Sequence, residues 1–124
     1  MLNERRRPGR LRVKWPVVVM TTKGIVVAET RDISSDGAFI QCKLPLLPNE
    51  KLRLFIMAPN QRALDVAAEV AWSNPHGSED DNVPRGMGVR FVEVSRDNRN
   101  ILQNVLARQY KRKSNATSEL LRGA

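Results

Sequence analysis

The chain has 124 residues, of which 41% are hydrophobic and 27% are charged, so we expect one domain with a modest core. No run of about 18 apolar residues occurs and no apolar stretch follows the basic N-terminus, which argues against a membrane helix and a secretory signal and favours a cytoplasmic protein. The formal net charge is +8, and the single cysteine, Cys42, excludes an internal disulfide and a cysteine-rich zinc site.

The first 14 residues are strongly basic, with six arginine and lysine side chains against one glutamate. Four arginines lie within six residues, and the intervening Pro8 and Gly9 disfavour a helix, so residues 1–14 are predicted to form a flexible arm. A guanidinium group can bind phosphate oxygens, pair with a guanine edge or stack on a base. These arginines, Arg5, Arg6, Arg7 and Arg10, therefore indicate an anion-binding segment, although a basic N-terminus taken alone is usually a solvated tail.

Six segments carry strand patterns in which apolar and polar residues alternate or β-branched residues cluster. The turn signal Thr22-Lys23-Gly24 separates the first two and predicts a hairpin, because Gly24 can adopt a positive φ. The predicted strands are residues 15–20, 25–30, 37–42, 51–56, 65–72 and 87–91.

The connection between the second and third strands has the sequence Arg31-Asp32-Ile33-Ser34-Ser35-Asp36-Gly37. Its short polar side chains can cap backbone N–H groups, which would make it a tight connection with no ligand. The alternative is a polar cradle, in which Asp32 accepts hydrogen bonds from a guanine or an arginine, Ser34 offers a hydroxyl and Gly37 admits a ligand to the backbone. The segment alone does not decide between them.

A helix is predicted after the last strand, with Ser95 as its N-cap and Asp97 in its first turn. Ile101, Leu102, Val105 and Leu106 have helical spacing, and the helix is expected to end near Tyr110. Residues 113–124 show no packing pattern and are predicted to form a disordered tail. Although this end of the chain is also basic, no function is assigned to it.

Six short strands followed by one helix predict a small antiparallel β-barrel, closed or plugged by the helix, over residues 15–112. The polar stretch 73–84 is predicted to be a mobile loop. It contains His76, the only histidine, but with Glu79, Asp80 and Asp81 this histidine matches no metal-ligand spacing. No nucleophile elbow, zinc-protease or phosphate-loop motif occurs, so we expect neither an enzyme nor a metal site.

The two polar segments together are more specific than either alone. Arg6-Arg7-Pro8-Gly9-Arg10, followed after a strand pair by Asp32-Ile33-Ser34-Ser35-Asp36-Gly37, resembles the Arg-x-x-x-Arg and Asp-x-Ser-x-x-Gly motifs of the PilZ domain family. Gly86-Met87-Gly88-Val89-Arg90-Phe91 looks like the last strand of that family. The resemblance extends over residues 4–110.

The resemblance implies a six-stranded antiparallel β-barrel with a C-terminal helix and a flexible N-terminal arginine arm. It also implies binding of the bacterial second messenger cyclic di-GMP, with no other cofactor. By likeness, Arg6 and Arg10 would contact phosphate and guanine, whereas Asp32, Ser34 and Gly37 would hold a base edge. By the same likeness Arg5 would stack on a base of the ligand, and in the family an arginine at this place accompanies the binding of two ligand molecules rather than one. Arg7 would make a further contact.

The implied function is an adaptor that signals to an unidentified effector protein by ordering its N-terminal arm, in motility, exopolysaccharide or biofilm control. A ligand-linked dimer and a monomer are both compatible with the sequence. Two alternatives stay open. One is a PilZ-like interaction domain that has lost its ligand, and the other is a nucleic-acid-binding module, although the chain lacks the aromatic pattern of an RNA-binding sheet.

Overall fold

A computed structural model describes residues 10–77 and 84–123, with side chains described as far as Lys113. Six strands are followed by one helix, as the sequence predicted. The strands are β1 (Pro16–Thr21), β2 (Gly24–Ile33), β3 (Gly37–Gln41), β4 (Lys51–Ile56), β5 (Leu64–Asn74) and β6 (Gly86–Val94), and the helix is α1 (Arg96–Gly123).

The strands close into an antiparallel barrel in the order β1-β2-β3-β6-β5-β4, so the predicted fold class is confirmed. The predicted hairpin is also present: Thr21 pairs with Gly24 across the turn, and Gly24 has a φ of 142°. Closure gives most strands a hydrogen-bonded neighbour on both sides, which removes the exposed edges of an open sheet.

Side chains of alternate strand residues fill the barrel. On β1 and β4, for example, Val17, Val19, Leu54 and Ile56 are almost completely buried. The helix plugs one end of the barrel with Leu102 and Val105, and the predicted N-cap is correct because the Ser95 hydroxyl accepts the Asn98 N–H at 3.1 Å.

Helix α1 continues to Gly123, well past the predicted end near Tyr110, so the prediction of a disordered tail over residues 113–124 is wrong as far as residue 123. The predicted end of the helix followed from its apolar stripe, which stops at Leu106. The alanine, leucine, lysine, arginine and glutamate residues that come after the stripe also favour a helix. Within the part of the chain that the structure describes, no helix is long and apolar enough to cross a bilayer.

The base of the N-terminal arm is attached to the barrel rather than free. Leu11 is buried and exchanges two backbone hydrogen bonds of 2.9 Å with Ile33 at the end of β2. Because β2 is longer than β1, its last residues have an edge that β1 leaves open, and residues 11–15 cover that edge. The predicted flexible arm over residues 1–14 is therefore corrected for its last five residues, and residues 1–9 lie outside the described chain.

Candidate functional site

A tight turn joins β2 to β3 and contains the second of the two polar motifs. Ser34 donates its backbone N–H to the Gly37 carbonyl at 2.8 Å, and its hydroxyl accepts the Asp36 N–H at 3.1 Å. The Ser34 side chain therefore shapes the turn in addition to any contact it makes with a ligand. The Asp36 carbonyl accepts the Phe91 N–H at 2.8 Å, which fastens the turn to β6.

Gly37 is required by the packing of β3 on β6. A Cβ atom at this position would lie 2.4 Å from the Val89 carbonyl oxygen, which is backbone and cannot move aside alone. The sequence suggested that Gly37 admits a ligand to the backbone, but the close neighbour here is the adjacent strand.

An ion pair joins the two motifs. The Arg10 Nε donates to the Asp32 Oδ1 at 2.8 Å, across 22 residues of sequence. The pair forms because Leu11 pairs with Ile33, which brings their neighbours Arg10 and Asp32 to the same point on the barrel. The Asp32 side chain is 22% exposed and that of Arg10 is 49% exposed, so both remain accessible to a ligand.

Four neighbouring strands carry a continuous row of outward-facing residues that begins at Asp32. Asp32 pairs with Phe39, Phe39 with Gly88, and Gly88 with Trp72. We call these four residues the outer row. Phe39 and Trp72 meet edge to face with 5.2 Å between ring centroids, and Trp72 lies over Gly88, where a Cβ atom would be 2.3 Å from the indole nitrogen. Phe39 is itself buried, at 7% exposure, so Trp72 is the aromatic ring that the outer row presents to solvent, at the opposite end from Asp32.

A second charged pair lies beside the outer row. Arg90 on β6 is directly opposite Gly37 and forms an ion pair with Glu69 on β5. Its side chain is 59% exposed, so its guanidinium group is available at the same surface as the Asp32 carboxylate.

Comparison with known proteins identifies the family. The family model of the PilZ domain matches residues 4–108, most of the chain. The chain belongs to the PilZ domain family. PilZ domains are binding or adaptor domains rather than catalysts, and the family is generally one of cyclic di-GMP receptors.

Two solved structures share the PilZ fold with this chain. One is the Bacillus subtilis inhibitor of motility MotI/DgrA, with a TM-score of 0.68, 20% identity and 82% of this chain covered. This chain spans 49% of that protein's length. The other is the PilZ domain of CeSA from a cellulose-synthesizing bacterium, with a TM-score of 0.57, 18% identity, and coverage of 82% of this chain and 98% of that one. No curated protein matches the sequence.

The structure brings together four of the residues that the PilZ resemblance implies. Arg10, Asp32, Ser34 and Gly37 lie at one end of β2 and β3. The other three, Arg5, Arg6 and Arg7, lie outside the described residues, and their contacts stay a prediction.

Sequence reasoning missed two residues at this surface, Phe39 and Arg90. The available signal was the alternation along β3, which places Ala38 and Ile40 on one face of the strand and Phe39 on the other face. Arg90 lies in the last-strand segment, but only the strand pairing reveals that it faces Gly37.

The described residues offer no metal centre, since they contain no group of three histidine, cysteine or carboxylate side chains. The three acidic residues that follow His76 in the sequence lie outside the described chain, namely Glu79, Asp80 and Asp81. Burial raises the pKa of the Cys42 thiol, which keeps it protonated and weakly nucleophilic.

Gly37→Ala is expected to destabilise the PilZ barrel by about 1–3 kcal/mol, because the added methyl group must push β3 away from the Val89 carbonyl. Chemical denaturation measures the change in the free energy of unfolding. Gly24→Ala is the matched control for added bulk, since nothing lies within 4 Å of the position that its new methyl group would take, although its positive φ adds some strain. Equal unfolding free energies for Gly37→Ala and the wild type would contradict the packing role.

Proposed function

We propose that this protein binds cyclic di-GMP on the outer surface of its barrel, at the point where Arg10 and Asp32 meet. The observation that carries this proposal is the 2.8 Å ion pair between them, because it unites the Arg-x-x-x-Arg and Asp-x-Ser-x-x-Gly segments in one site. A phosphate binder needs the arginine alone, whereas a guanine nucleotide uses both partners.

The chemistry of the pair suits guanine. A carboxylate has two oxygens with about four lone-pair sites, so Asp32 can keep Arg10 at Oδ1 and also accept the guanine N1–H and amino group. Arg10 has five N–H donors in its planar fork, one of which is donated to Asp32 in this structure. Its remaining donors are suited to a phosphate oxygen or to guanine O6 and N7.

The outer row offers a surface for the rest of the ligand. From Asp32 to Trp72 there are three inter-strand steps of about 4.8 Å each, or about 14 Å in all, a distance comparable to an extended dinucleotide. Trp72 is 49% exposed and can stack on a base. Arg90 is close enough to Gly37 to contribute positive charge beside the two phosphates.

The arginines that precede Arg10 complete the proposed site. Arg5, Arg6 and Arg7 would add guanidinium groups to the phosphates or stack on a base, and ordering of this arm would signal to an effector protein in the cytoplasm. The process that we propose is motility or exopolysaccharide control, including biofilm formation. Its support is that one similar fold is an inhibitor of motility and another belongs to CeSA of a cellulose-synthesizing bacterium.

Isothermal titration of the full chain with cyclic di-GMP tests the proposal. With about tens of micromolar protein in the calorimeter, we expect cyclic di-GMP to bind measurably. Cyclic di-AMP should bind weakly or not at all, and an unrelated single-stranded oligonucleotide should bind little. Adenine lacks the N1–H and exocyclic amino pattern that Asp32 would accept, so cyclic di-AMP separates base recognition from phosphate attraction.

Each alternative gives a different titration. A titration with cyclic di-GMP that shows no heat of binding would contradict the proposal and favour an interaction domain that binds no ligand. Oligonucleotide binding of equal strength, with affinity falling steeply as salt rises, would favour a nucleic-acid-binding module.

A further inference from the structure

Two basic stretches of the chain, far apart in sequence, meet in the folded protein. Arg12 lies in the segment that covers the end of β2, and Lys113 lies in the second half of α1. The Lys113 ammonium group donates to the Arg12 carbonyl at 2.6 Å, across 101 residues of sequence. Because this hydrogen bond connects the helix to the segment, the exposed side chains beside it belong to one surface.

The segment before β1 presents its cations to solvent. Along residues 11–15 the side chains alternate between buried or half-buried and exposed, and the exposed ones are Arg12 and Lys14. The hydrogen bonds that Leu11 and Trp15 make with β2 hold the segment in an extended conformation. The two cations therefore lie on the same side of the segment, about 7 Å apart along the chain.

Helix α1 has its apolar side on the barrel and its cations in solvent. Leu102 and Val105 are buried in the core. The basic residues of the following turns are all exposed, and they are Arg108, Lys111, Arg112 and Lys113. We use the name basic face for the six cations of the segment and the helix together, namely Arg12, Lys14, Arg108, Lys111, Arg112 and Lys113.

The two stretches that form the basic face carry charge of one sign. Neither residues 5–28 nor residues 98–118 contain an aspartate or a glutamate, although the chain has 13 acidic residues in all. A surface that concentrates like charge attracts a partner with many negative charges. Clusters of about four to eight lysine and arginine residues on one surface are typical of proteins that bind anionic lipids.

The composition of the basic face favours a lipid surface over a protein partner. Protein interfaces are centred on buried aromatic or aliphatic side chains and contain little lysine. Half of the basic face is lysine, and among the described residues of the segment and of α1 only Tyr110 is a large hydrophobic side chain that is exposed. A tyrosine suits the edge of a bilayer, because its ring can lie among the headgroups while its hydroxyl stays in water.

A nucleic acid also offers phosphate groups, but the basic face has little that would bind its bases. Proteins that bind single strands combine positive charge with several aromatic rings on which successive bases stack. Tyr110 is the one exposed ring among the described residues of these two elements. The observations therefore favour lipid phosphates, and the experiment below separates the two partners.

We propose that the basic face docks this protein on an anionic lipid surface, with the lipid phosphate groups as its ligands. The contact is peripheral: the six cations bind headgroups while the barrel stays in water. Since the charges of the basic face are exposed to solvent, the affinity for the lipid surface falls as the salt concentration rises.

Cosedimentation of the full chain with vesicles tests the proposal. Vesicles of phosphatidylcholine with about 30 mol% phosphatidylglycerol should retain the protein at low salt, whereas vesicles of phosphatidylcholine alone should not. Each positive charge near an anionic surface contributes about fivefold in affinity, and reversing the charge also adds repulsion. Lys14→Glu on the segment and Lys111→Glu on α1 should therefore each weaken binding about tenfold, and the double variant about a hundredfold.

Lys23→Glu is the matched control for these variants. It changes the net charge by the same amount, but Lys23 is exposed in the turn before Gly24, at the opposite end of β2 from Ile33, which the segment covers. This variant should keep the wild-type affinity for the vesicles. Equal weakening by Lys23→Glu and Lys111→Glu would overturn the proposal, because the attraction would then follow the net charge rather than the basic face. Circular dichroism checks that each variant is folded.

Two other outcomes would also overturn the proposal. One is a wild-type protein that stays in the supernatant with the anionic vesicles at low salt. The other is tighter binding of a double-stranded oligonucleotide than of the vesicles at equal phosphate concentration and salt, which would assign the basic face to nucleic acid. None of the substituted residues belongs to the Arg10–Asp32 pair, so titration with cyclic di-GMP decides the ligand site separately.

Discussion

Replacing Arg10 with alanine should weaken cyclic di-GMP binding at least about tenfold while leaving the barrel folded. A charge-assisted hydrogen bond to the ligand contributes about 1.5–3 kcal/mol, and every 1.4 kcal/mol is tenfold in affinity. The effect on stability should be below about 1 kcal/mol, because the ion pair with Asp32 is exposed to solvent. Titration calorimetry and chemical denaturation of the same preparations separate the two quantities.

Arg53 provides a matched control for this experiment. It forms an ion pair of 2.6 Å with Asp65 on another side of the barrel, and its side chain is as exposed as that of Arg10. Arg53→Ala removes the same charge and should leave ligand affinity unchanged. Arg10→Lys keeps the charge without the planar fork, so it should recover only part of the affinity. Equal affinity in Arg10→Ala and Arg53→Ala would refute a specific role for Arg10.

The strands of this fold could be predicted because their alternation reflects one buried face, but the length of β2 could not. The predicted second strand ended at Thr30, whereas β2 continues to Ile33. A bulge between Thr30 and Asp32 inserts one residue, so the buried positions 30 and 33 are three apart instead of two. The inserted residue breaks the pattern at the point where the strand enters the site.

The residues of the candidate site could be named from the sequence, but their arrangement could not. The Arg10–Asp32 contact depends on Leu11 pairing with Ile33, and neither the spacing nor the charge of the arm indicates that pairing. Trp72 and Phe39 become neighbours only through the strand order β3-β6-β5, since 33 residues separate them in the chain. Sequence patterns fix which side of a strand a residue faces, whereas strand order fixes what lies next to it.

Thr30→Val should destabilise the protein by about 3 kcal/mol although it keeps the shape of the side chain. Thr30 is fully buried, and its hydroxyl accepts the Trp15 N–H at 3.0 Å and donates to the Val13 carbonyl. Valine leaves both backbone groups without this partner, and an unsatisfied buried group costs about 1–3 kcal/mol. Denaturation by urea gives the free energy of unfolding, provided that the dependence on denaturant stays unchanged.

Two further variants distinguish the hydroxyl from its surroundings. Thr30→Ser keeps the hydroxyl and loses one methyl group, so it should cost only about 1 kcal/mol. Thr21→Val removes a hydroxyl that bonds Lys23 and Gly24 in an exposed turn, where water can replace it, and should cost less than about 1 kcal/mol. Because Thr30 fixes the segment that presents Arg10, Thr30→Val should also weaken cyclic di-GMP binding without contacting the ligand. Full stability in Thr30→Val would mean that the Thr30 hydroxyl is not needed to hold the base of the arm, and that the backbone hydrogen bonds of Leu11 and Trp15 suffice.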